Sequence, residues 1–221
     1  MGRLLDAKKE SKRQSLLAAA YELFLERGAA KTSVGDITER AGVAKGTFYL
    51  YFTDKANLLE ALCFQISYDL MGRAYEAMQQ HRQPEFWRNT VFLVDYLVDY
   101  FCREKVVLRL IERNFSWPLM EEKLTRQDDP LFSAIWQDAS RCPALAGRSR
   151  DEALRLLFAL FEMCGSTCYS SIILGRPAGI EQMKPVMYYI IRRCLDGPAG
   201  ELTGAEAAAD AAEASDAAEA E

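Results

Sequence analysis

Apolar residues recur every three or four positions along most of the chain, which is the spacing of one face of an α-helix. The first such run covers residues 16–25, and Gly28 follows it as a helix stop. Ser33 and Asp36 have the spacing of a capping box, and the short helix that they begin ends at Gly42. The pattern therefore predicts two helices in quick succession, joined and ended by glycine.

A third short helix is predicted over residues 45–51, and Thr53 or Asp54 can cap a fourth. Three helices in about 45 residues, with a tight glycine turn between the last two, predict a helix-turn-helix. Helical spacing continues over residues 55–80, 84–103, 105–115, 131–140, 150–174 and 180–195. No segment has the alternating pattern of a strand, so the predicted fold class is all-α.

Charge is distributed unevenly along the chain of 221 residues, whose net charge is −5. The segment from Asp196 onward has eight acidic residues and no basic ones, whereas residues 1–55 have ten basic residues against seven acidic ones. A modest basic excess suits contact with phosphate, although a solvated charged face is the commoner explanation. Because residues 196–221 have almost no large apolar side chain, we expect a disordered acidic, alanine-rich tail there.

Several classes of protein fit this composition poorly. No run of about 18 uncharged apolar residues is present, which indicates a soluble, cytoplasmic protein with no membrane partner. The single histidine, His81, stands in a polar run without a nucleophile motif or a phosphate loop, so we predict no enzyme, no catalytic residues and no cofactor.

The six cysteines lack the close pairs of a zinc site, so we predict no metal and reduced thiols that fill the core. Cys164 and Cys168 lie on one helix face, where a metal or an oxidant could join them, but packing is the favoured interpretation. The cysteines are Cys63, Cys102, Cys142, Cys164, Cys168 and Cys194.

The most informative stretch is residues 32–59, TSVGDITERAGVAKGTFYLYFTDKANLL. It resembles the helix-turn-helix of the TetR family of transcriptional repressors. The residues that carry the resemblance are Asp36-Ile37, Ala41-Gly42-Val43, Lys45-Gly46, Phe48-Tyr49, Tyr51-Phe52, Lys55 and Leu58-Leu59. It covers roughly residues 10–60, and the rest of the chain is similar to the family in helical content and length.

The resemblance implies a three-helix DNA-binding domain over residues 1–54, and a helical effector-binding and dimerisation domain over residues 55–195. A long helix from residue 55 would join them, and residues 196–221 would form the tail. The implied partners are double-stranded operator DNA, a second copy of the chain held through residues 150–174 and 180–195, and a small-molecule effector.

A recognition helix enters the major groove with its N-terminus first, which assigns expected contacts within the motif. Lys45 and Thr47 are expected at base edges, Tyr49 and Tyr51 at phosphates or bases, and Lys55 at phosphate. The full set of expected DNA contacts is Thr32, Ser33, Lys45, Gly46, Thr47, Tyr49, Tyr51 and Lys55. Phe48 and Phe52 are expected in the core, and Tyr49 could instead cover it.

Aromatic residues are concentrated in the central helices, where they could line an apolar effector pocket, although core packing is favoured for any one of them. The candidate pocket residues are Phe92, Tyr96, Tyr100, Phe115, Trp117, Trp136, Phe158 and Phe161. The predicted function is a repressor released from its operator by a small apolar or aromatic effector. The alternatives are a transcriptional activator and a helical protein-interaction module on the same fold.

Overall fold

The structure is a computed structural model that describes residues 2–114 and 129–196, with side chains over residues 9–111 and 129–196. In these segments α-helices follow one another with a 3₁₀ turn at Ala29–Lys31 and a π-helical turn at Ser170–Leu174. The helices are α1 (Gly2–Arg27), α2 (Val34–Arg40), α3 (Lys45–Phe48), α4 (Lys55–Gln80), α5 (Phe86–Arg103), α6 (Lys105–Asn114), α7 (Pro130–Ala139), α8 (Arg150–Tyr169) and α9 (Ile180–Leu195). The predicted all-α class is confirmed.

The first four helices surround one apolar core. Leu16 of α1, Ile37 of α2, Phe48 of α3 and Leu58 of α4 are each fully buried in it. Burying a side chain of this size stabilises the fold by about 1.5–3 kcal/mol relative to leaving it exposed. This core fixes α3 against α1, α2 and the first turns of α4.

Helix α4 joins this core to the rest of the molecule. Leu58 and Leu62 belong to the first core, whereas Leu70, Ala74 and Met78 are buried farther along the same helix. Helix α6 also reaches the first core, because the buried Cys63 thiol donates to the Leu110 carbonyl at 3.6 Å. A displacement of α4 therefore moves part of the core that holds α3.

The helical body is built from α5 and α7–α9 around two further apolar clusters. One includes Leu145, Leu160 and Ile191, and the other centres on Val98, Cys168 and Met187. Outside these clusters α5 and α9 are joined by Lys184, whose Nζ lies 3.0 Å from Asp95 and 3.2 Å from Asp99. These contacts make α5 and α9 neighbours over much of their length.

The helix boundaries differ from the predicted ones at two places that matter for function. Helix α1 begins at Gly2, although the apolar spacing predicted a helix only over residues 16–25. Helix α3 ends at Phe48, and a turn continues through Tyr51. Residues 115–128 lie outside the described residues, and of the predicted tail over residues 196–221 the structure describes Asp196 alone.

Candidate DNA-binding surface

Helix α2 begins with the capping box that the sequence predicts. The Ser33 hydroxyl accepts from the Asp36 backbone N–H at 3.2 Å, and the Asp36 carboxylate accepts from the Ser33 N–H at 2.7 Å. The bonds from the Ser33 side chain and backbone, with Arg27 also nearby, lower the pKa of Asp36 to about 2. The start of α2 is therefore fixed in one orientation at neutral pH.

The turn between α2 and α3 depends on Gly42, whose φ of +66° is in the left-handed region that glycine adopts without strain. The Ala41 and Gly42 N–H groups donate to carbonyls in the last turn of α2, and Val43 N–H donates to Thr38. These bonds satisfy the end of α2 and bring the chain directly to Lys45, the first residue of α3.

Helix α3 divides its side chains between the core and the surface. Phe48 and Phe52 are buried, as predicted, and their ring centroids lie 5.7 Å apart. Tyr49 packs edge-on against Phe48 at 5.3 Å, yet it remains 54% exposed. Lys45 is exposed as well. The core therefore anchors α3 by its aromatic face and leaves a lysine and a tyrosine on the outer face.

The remaining residues of this outer surface differ in accessibility. Gly46 and Leu50 are exposed, and Thr47 and Tyr51 are half-buried. A Cβ built on Gly46 would meet no atom of the chain within 4 Å. The described packing of the chain therefore gives no steric reason for glycine at this position.

Thr32 and Ser33, expected to reach phosphate, lie in different environments. Thr32 is 1% exposed, and its hydroxyl donates to the Gly28 carbonyl at 2.9 Å. Ser33 is exposed, but its hydroxyl already takes part in the capping box. Thr32 therefore has an internal role in this structure, and Ser33 is the more accessible of the two.

Lys55 also has an internal role. Its Nζ donates to the carbonyls of Ala29 and Thr32, each at 2.8 Å, and the side chain is partly buried. These bonds connect the first turn of α4 to the 3₁₀ turn that precedes α2. The positive charge of Lys55 thus lies at the junction of α1, α2 and α4.

Two arginines hold α1 against α2. Arg40 binds Glu26 through two hydrogen bonds of 3.0 and 3.1 Å and Glu22 at 3.0 Å. Arg27 lies 3.0 Å from the Asp36 carboxylate. Both guanidinium groups are thus matched by carboxylates of the same unit, which leaves less positive charge for an external anion.

The candidate pocket residues are distributed over several parts of the body. Phe92 stacks on His81 with centroids 5.5 Å apart, and Arg73 lies 5.5 Å from the Tyr100 ring. Trp136 lies under Arg150 within the cluster that contains Leu160. Tyr96, Phe158 and Phe161 are half-buried. Phe115 and Trp117 lie outside the described residues.

A pair of tyrosine–aspartate contacts joins α4 to α7. Tyr68 donates to Asp129, with distances of 3.0 and 2.9 Å to its two oxygens. Two turns farther along α4, Tyr75 donates to Asp138 at 2.8 Å, and Arg82 reaches the same carboxylate at 2.6 Å. Between the two contacts a Cβ on Gly72 would lie 3.7 Å from Leu131.

These contacts fix α4 against α7 along three turns. Sequence reasoning missed them because the partners are 61 and 63 residues apart. The signal that could have found them is the spacing of Tyr68 and Tyr75, which places both hydroxyls on one face of the long helix.

The outer faces of α8 and α9 are more apolar than an ordinary protein surface. Val186 is 47% exposed, Tyr189 61% and Leu174 57%. The continuous helix Arg150–Leu174 is long and apolar enough to cross a membrane by length and composition. Only 17% of its apolar stretch of 18 residues is buried within the chain. A dimer contact over residues 150–174 is what the family resemblance implies, whereas a helix of this length and hydropathy was not predicted. Leu160, Met187 and Ile191, in contrast, are core residues of the chain itself.

All six cysteines are free. Burial raises the pKa of the Cys164 and Cys168 thiols to about 12, which disfavours the thiolate. Over residues 9–111 and 129–196, no group of three or more histidine, cysteine, aspartate or glutamate side chains could hold a metal ion.

Comparison with known proteins agrees with this architecture. The family model of bacterial regulatory proteins of the tetR family matches residues 16–62. An uncharacterized HTH-type transcriptional regulator of Bacillus subtilis (strain 168), YvdT, is 34% identical over 190 residues, which cover 83% of this chain and 95% of the relative.

Solved structures share the fold at lower identity. A TetR regulator from Rhodococcus sp. RHA1 has a TM-score of 0.63 at 19% identity and covers 85% of this chain and 97% of its own. Thermus thermophilus FadR, a TetR-family repressor in complex with lauroyl-CoA, has a TM-score of 0.54 at 19% identity, with 82% and 94% covered.

The chain therefore belongs to the TetR family, and it is a transcriptional regulator that binds DNA through a helix-turn-helix. Its relatives in the comparison are transcriptional regulators as well.

Proposed function

We propose that the chain is a homodimeric, cytoplasmic repressor that acts by binding operator DNA rather than by catalysing a reaction. A small apolar or aromatic effector releases it from that operator. The observation that carries the proposal is the division of α3 between buried Phe48 and exposed Lys45 and Tyr49. Residues 1–54 would form the DNA-binding domain, residues 55–195 the effector-binding and dimerisation domain, and residues 196–221 a tail.

The outer face of α3 supports a specific set of DNA contacts. Lys45 and Thr47 reach base edges from the first turn of α3, and Tyr49 and Tyr51 bind phosphate or base. Gly46 supports this orientation. A Cβ at this position would meet no described atom of the chain within 4 Å, whereas it would separate the backbone from DNA.

The contacts around the motif have secondary roles. Ser33 adds a phosphate contact from the exposed start of α2, and Thr32 supports that segment from beneath. Lys55 acts in the same region. Its hydrogen bonds to the Ala29 and Thr32 carbonyls hold the 3₁₀ turn in place, and its positive charge attracts a nearby DNA phosphate.

The outer faces of α8 and α9 support dimerisation through these helices. Val186 and Tyr189 expose large apolar surface on α9, and from Leu156 onward α8 carries Glu162 as its single charged residue. A second copy of the same face would cover this surface in a four-helix interface with twofold symmetry. The two recognition helices would then face successive turns of the major groove.

The contacts between α4 and α7 support a route from the body to DNA. An effector bound among the body aromatics, which include Phe92, Tyr96 and Tyr100, would displace α7 or α5 and carry α4 with it. Because α4 shares its core with α3, both recognition helices of the dimer would leave register. The lauroyl-CoA complex of the Thermus repressor suggests long acyl chains as the first compounds to test.

Selection of bound fragments from random DNA, followed by gel shift, tests the core of this proposal. Wild-type protein should enrich a twofold-symmetric site, and Tyr49→Ala should lose affinity for it. Val106→Ser, an exposed change on α6, is the matched control and should bind as wild type does. Enrichment of no sequence, or equal binding by Tyr49→Ala, would contradict the assignment.

Light scattering without detergent tests the dimer and the location together. We expect a dimer in solution at micromolar concentration. A monomer that still binds DNA specifically would overturn the dimer, and recovery of the protein only with membranes would mean that lipid covers the apolar face of α8. A promoter fusion completes the test, because loss of the protein should raise transcription if it represses and lower it if it activates.

A further inference from the structure

We propose that the basic extension, residues 1–15, is a second DNA-binding element that contacts phosphates beside the operator half-site read by α3. The proposal rests on operator binding and deepens it. It starts from the position of the charges, because the family match begins at residue 16 while α1 already begins at Gly2.

The excess positive charge of the DNA-binding unit lies entirely in this extension. Residues 1–15 have five basic residues and two acidic ones, whereas residues 16–55 have five of each. Protein–DNA affinity depends mainly on neutralising phosphates with lysine and arginine. The helix-turn-helix without its extension therefore has no net charge with which to attract DNA.

Most cationic side chains of the helix-turn-helix are already bound to acceptors of the same chain. Arg27 and Arg40 are bound to carboxylates of α1 and α2, and Lys55 donates to two backbone carbonyls. Lys31 and Lys45 remain exposed. Two exposed lysines and the partly buried Lys55 are few for an interface that must hold a DNA backbone, so further cations are required from elsewhere in the chain.

The described part of the extension presents its cations to solvent. Lys9 and Lys12 are exposed and lie one turn apart, with Arg13 on the same side of α1. Like charges at this spacing repel one another within a helix, and a polyanion relieves the repulsion. Glu10 offsets part of this charge through Arg13, at 3.5 Å.

The extension leaves the core next to the turn that follows α3. The Arg13 guanidinium lies 5.7 Å from the centre of the Phe52 ring, and Phe52 follows the turn that ends α3. Gln14 is bonded to Gln65 of α4 at 3.2 Å, which fixes where α1 leaves the core. The fourteen residues from Gly2 to Ser15 span about 21 Å of helix, enough to follow about six base pairs.

The test compares Lys9→Gln/Lys12→Gln with wild type in salt titrations of DNA affinity. Each phosphate contact contributes about 0.9 to the slope of log K against log salt, so removing four lysines from a dimer should lower the slope by about 3.6. Between 50 and 200 mM salt, wild-type affinity should therefore fall about 150-fold more than that of the variant. Arg141→Gln/Arg176→Gln removes the same charge from the body and should keep the wild-type slope.

A second measurement locates the contact on DNA. Adding six base pairs on each side of a minimal operator should raise wild-type affinity and leave the Lys9→Gln/Lys12→Gln variant unchanged. Scrambling the flanking sequence should not matter, because phosphates carry no sequence information. An unchanged slope in the variant, or an equal gain from the flanks in both proteins, would overturn the proposal.

The two proposals fail in different ways. The slope on a non-specific duplex reports on the basic extension whether or not an operator is found, because phosphate contacts do not depend on sequence. If wild type selects no symmetric site but the variant still loses slope, operator recognition fails and the basic extension stands. If the operator is found and the slopes agree, the basic extension fails alone.

Discussion

Replacing Asp138 with asparagine should separate α4 from α7 while keeping the size of the side chain. The carboxylate is 11% exposed and accepts from Tyr75 at 2.8 Å, from Gln79 at 3.2 Å and from Arg82 at 2.6 and 3.0 Å. Asparagine keeps one acceptor oxygen but turns an amide NH₂ toward these donors. At least one donor would then lose its partner.

The expected loss follows from the contacts. A hydrogen bond to a charged group contributes about 1.5–3 kcal/mol, and the Arg82 contribution is reduced because its side chain is 40% exposed. We therefore expect Asp138→Asn to lower the free energy of unfolding by about 2 kcal/mol at pH 7. For a chain of this length, that corresponds to about 4–8 °C in melting temperature at fixed protein concentration.

The loss should depend on pH in a defined direction. Burial opposes ionisation of Asp138, but hydrogen bonds from Arg82 and Tyr75 outweigh it and hold its pKa below the ordinary value. A lowered native pKa stabilises the fold fully above the unfolded value of about 3.9, and this contribution is lost as pH falls through the native pKa. The difference between wild type and Asp138→Asn should be constant from pH 5 to 8 and shrink below about pH 4.

Urea denaturation across this pH range, with Asp69→Asn as control, measures the effect. Asp69 is exposed on the same helix α4, so the same chemical change should cost little there. If Asp138→Asn is no less stable than Asp69→Asn at pH 7, the contact between α4 and α7 does not stabilise the fold. A difference that grows as the pH falls would contradict the sign of the pKa shift.

Three further predictions concern DNA, the tail and the dimer. Lys55→Ala should weaken binding to all sequences and lower the salt slope by about 1 per site, whereas Thr47→Ala should change base preference more than slope; a Lys55→Ala protein with both quantities unchanged would contradict the phosphate assignment. Deleting residues 197–221 should leave the melting temperature and the dimer intact, because that sequence has no apolar face to bury; a large fall in melting temperature would show that it packs. Val186→Glu places a charge on the exposed face of α9 and should shift the protein toward monomer in light scattering, whereas Tyr189→Phe should not; a Val186→Glu dimer as stable as wild type would place the interface elsewhere.

The parts of the fold that the sequence predicted are those with local signals. Ser33 and Asp36 form the expected capping box, Gly42 makes the expected turn, and Phe48 and Phe52 are core residues at the expected spacing. Each of these features depends on residues within four positions of one another, so the chain reveals them without knowledge of its partners.

The features that escaped prediction have other causes. Residues 2–15 form a helix without apolar periodicity, so the pattern gave no sign of one there. The contacts of Tyr68 and Tyr75 join residues more than 60 positions apart, and no pattern in a single sequence shows that such residues are close in space. Thr32 and Lys55 match the motif, but their bonds to backbone carbonyls depend on how α1 and α4 meet.

One measurement tests sequence-specific DNA binding by this surface most directly: protection of a selected genomic fragment from hydroxyl radicals, with wild type and Tyr49→Ala. We predict two protected half-sites related by twofold symmetry and about one helical turn, 10–10.5 base pairs, apart or a multiple of it. Tyr49→Ala should lose this protection at the same protein concentration while it remains dimeric. Protection without symmetry, or the same protection by Tyr49→Ala, would contradict recognition through the exposed face of α3.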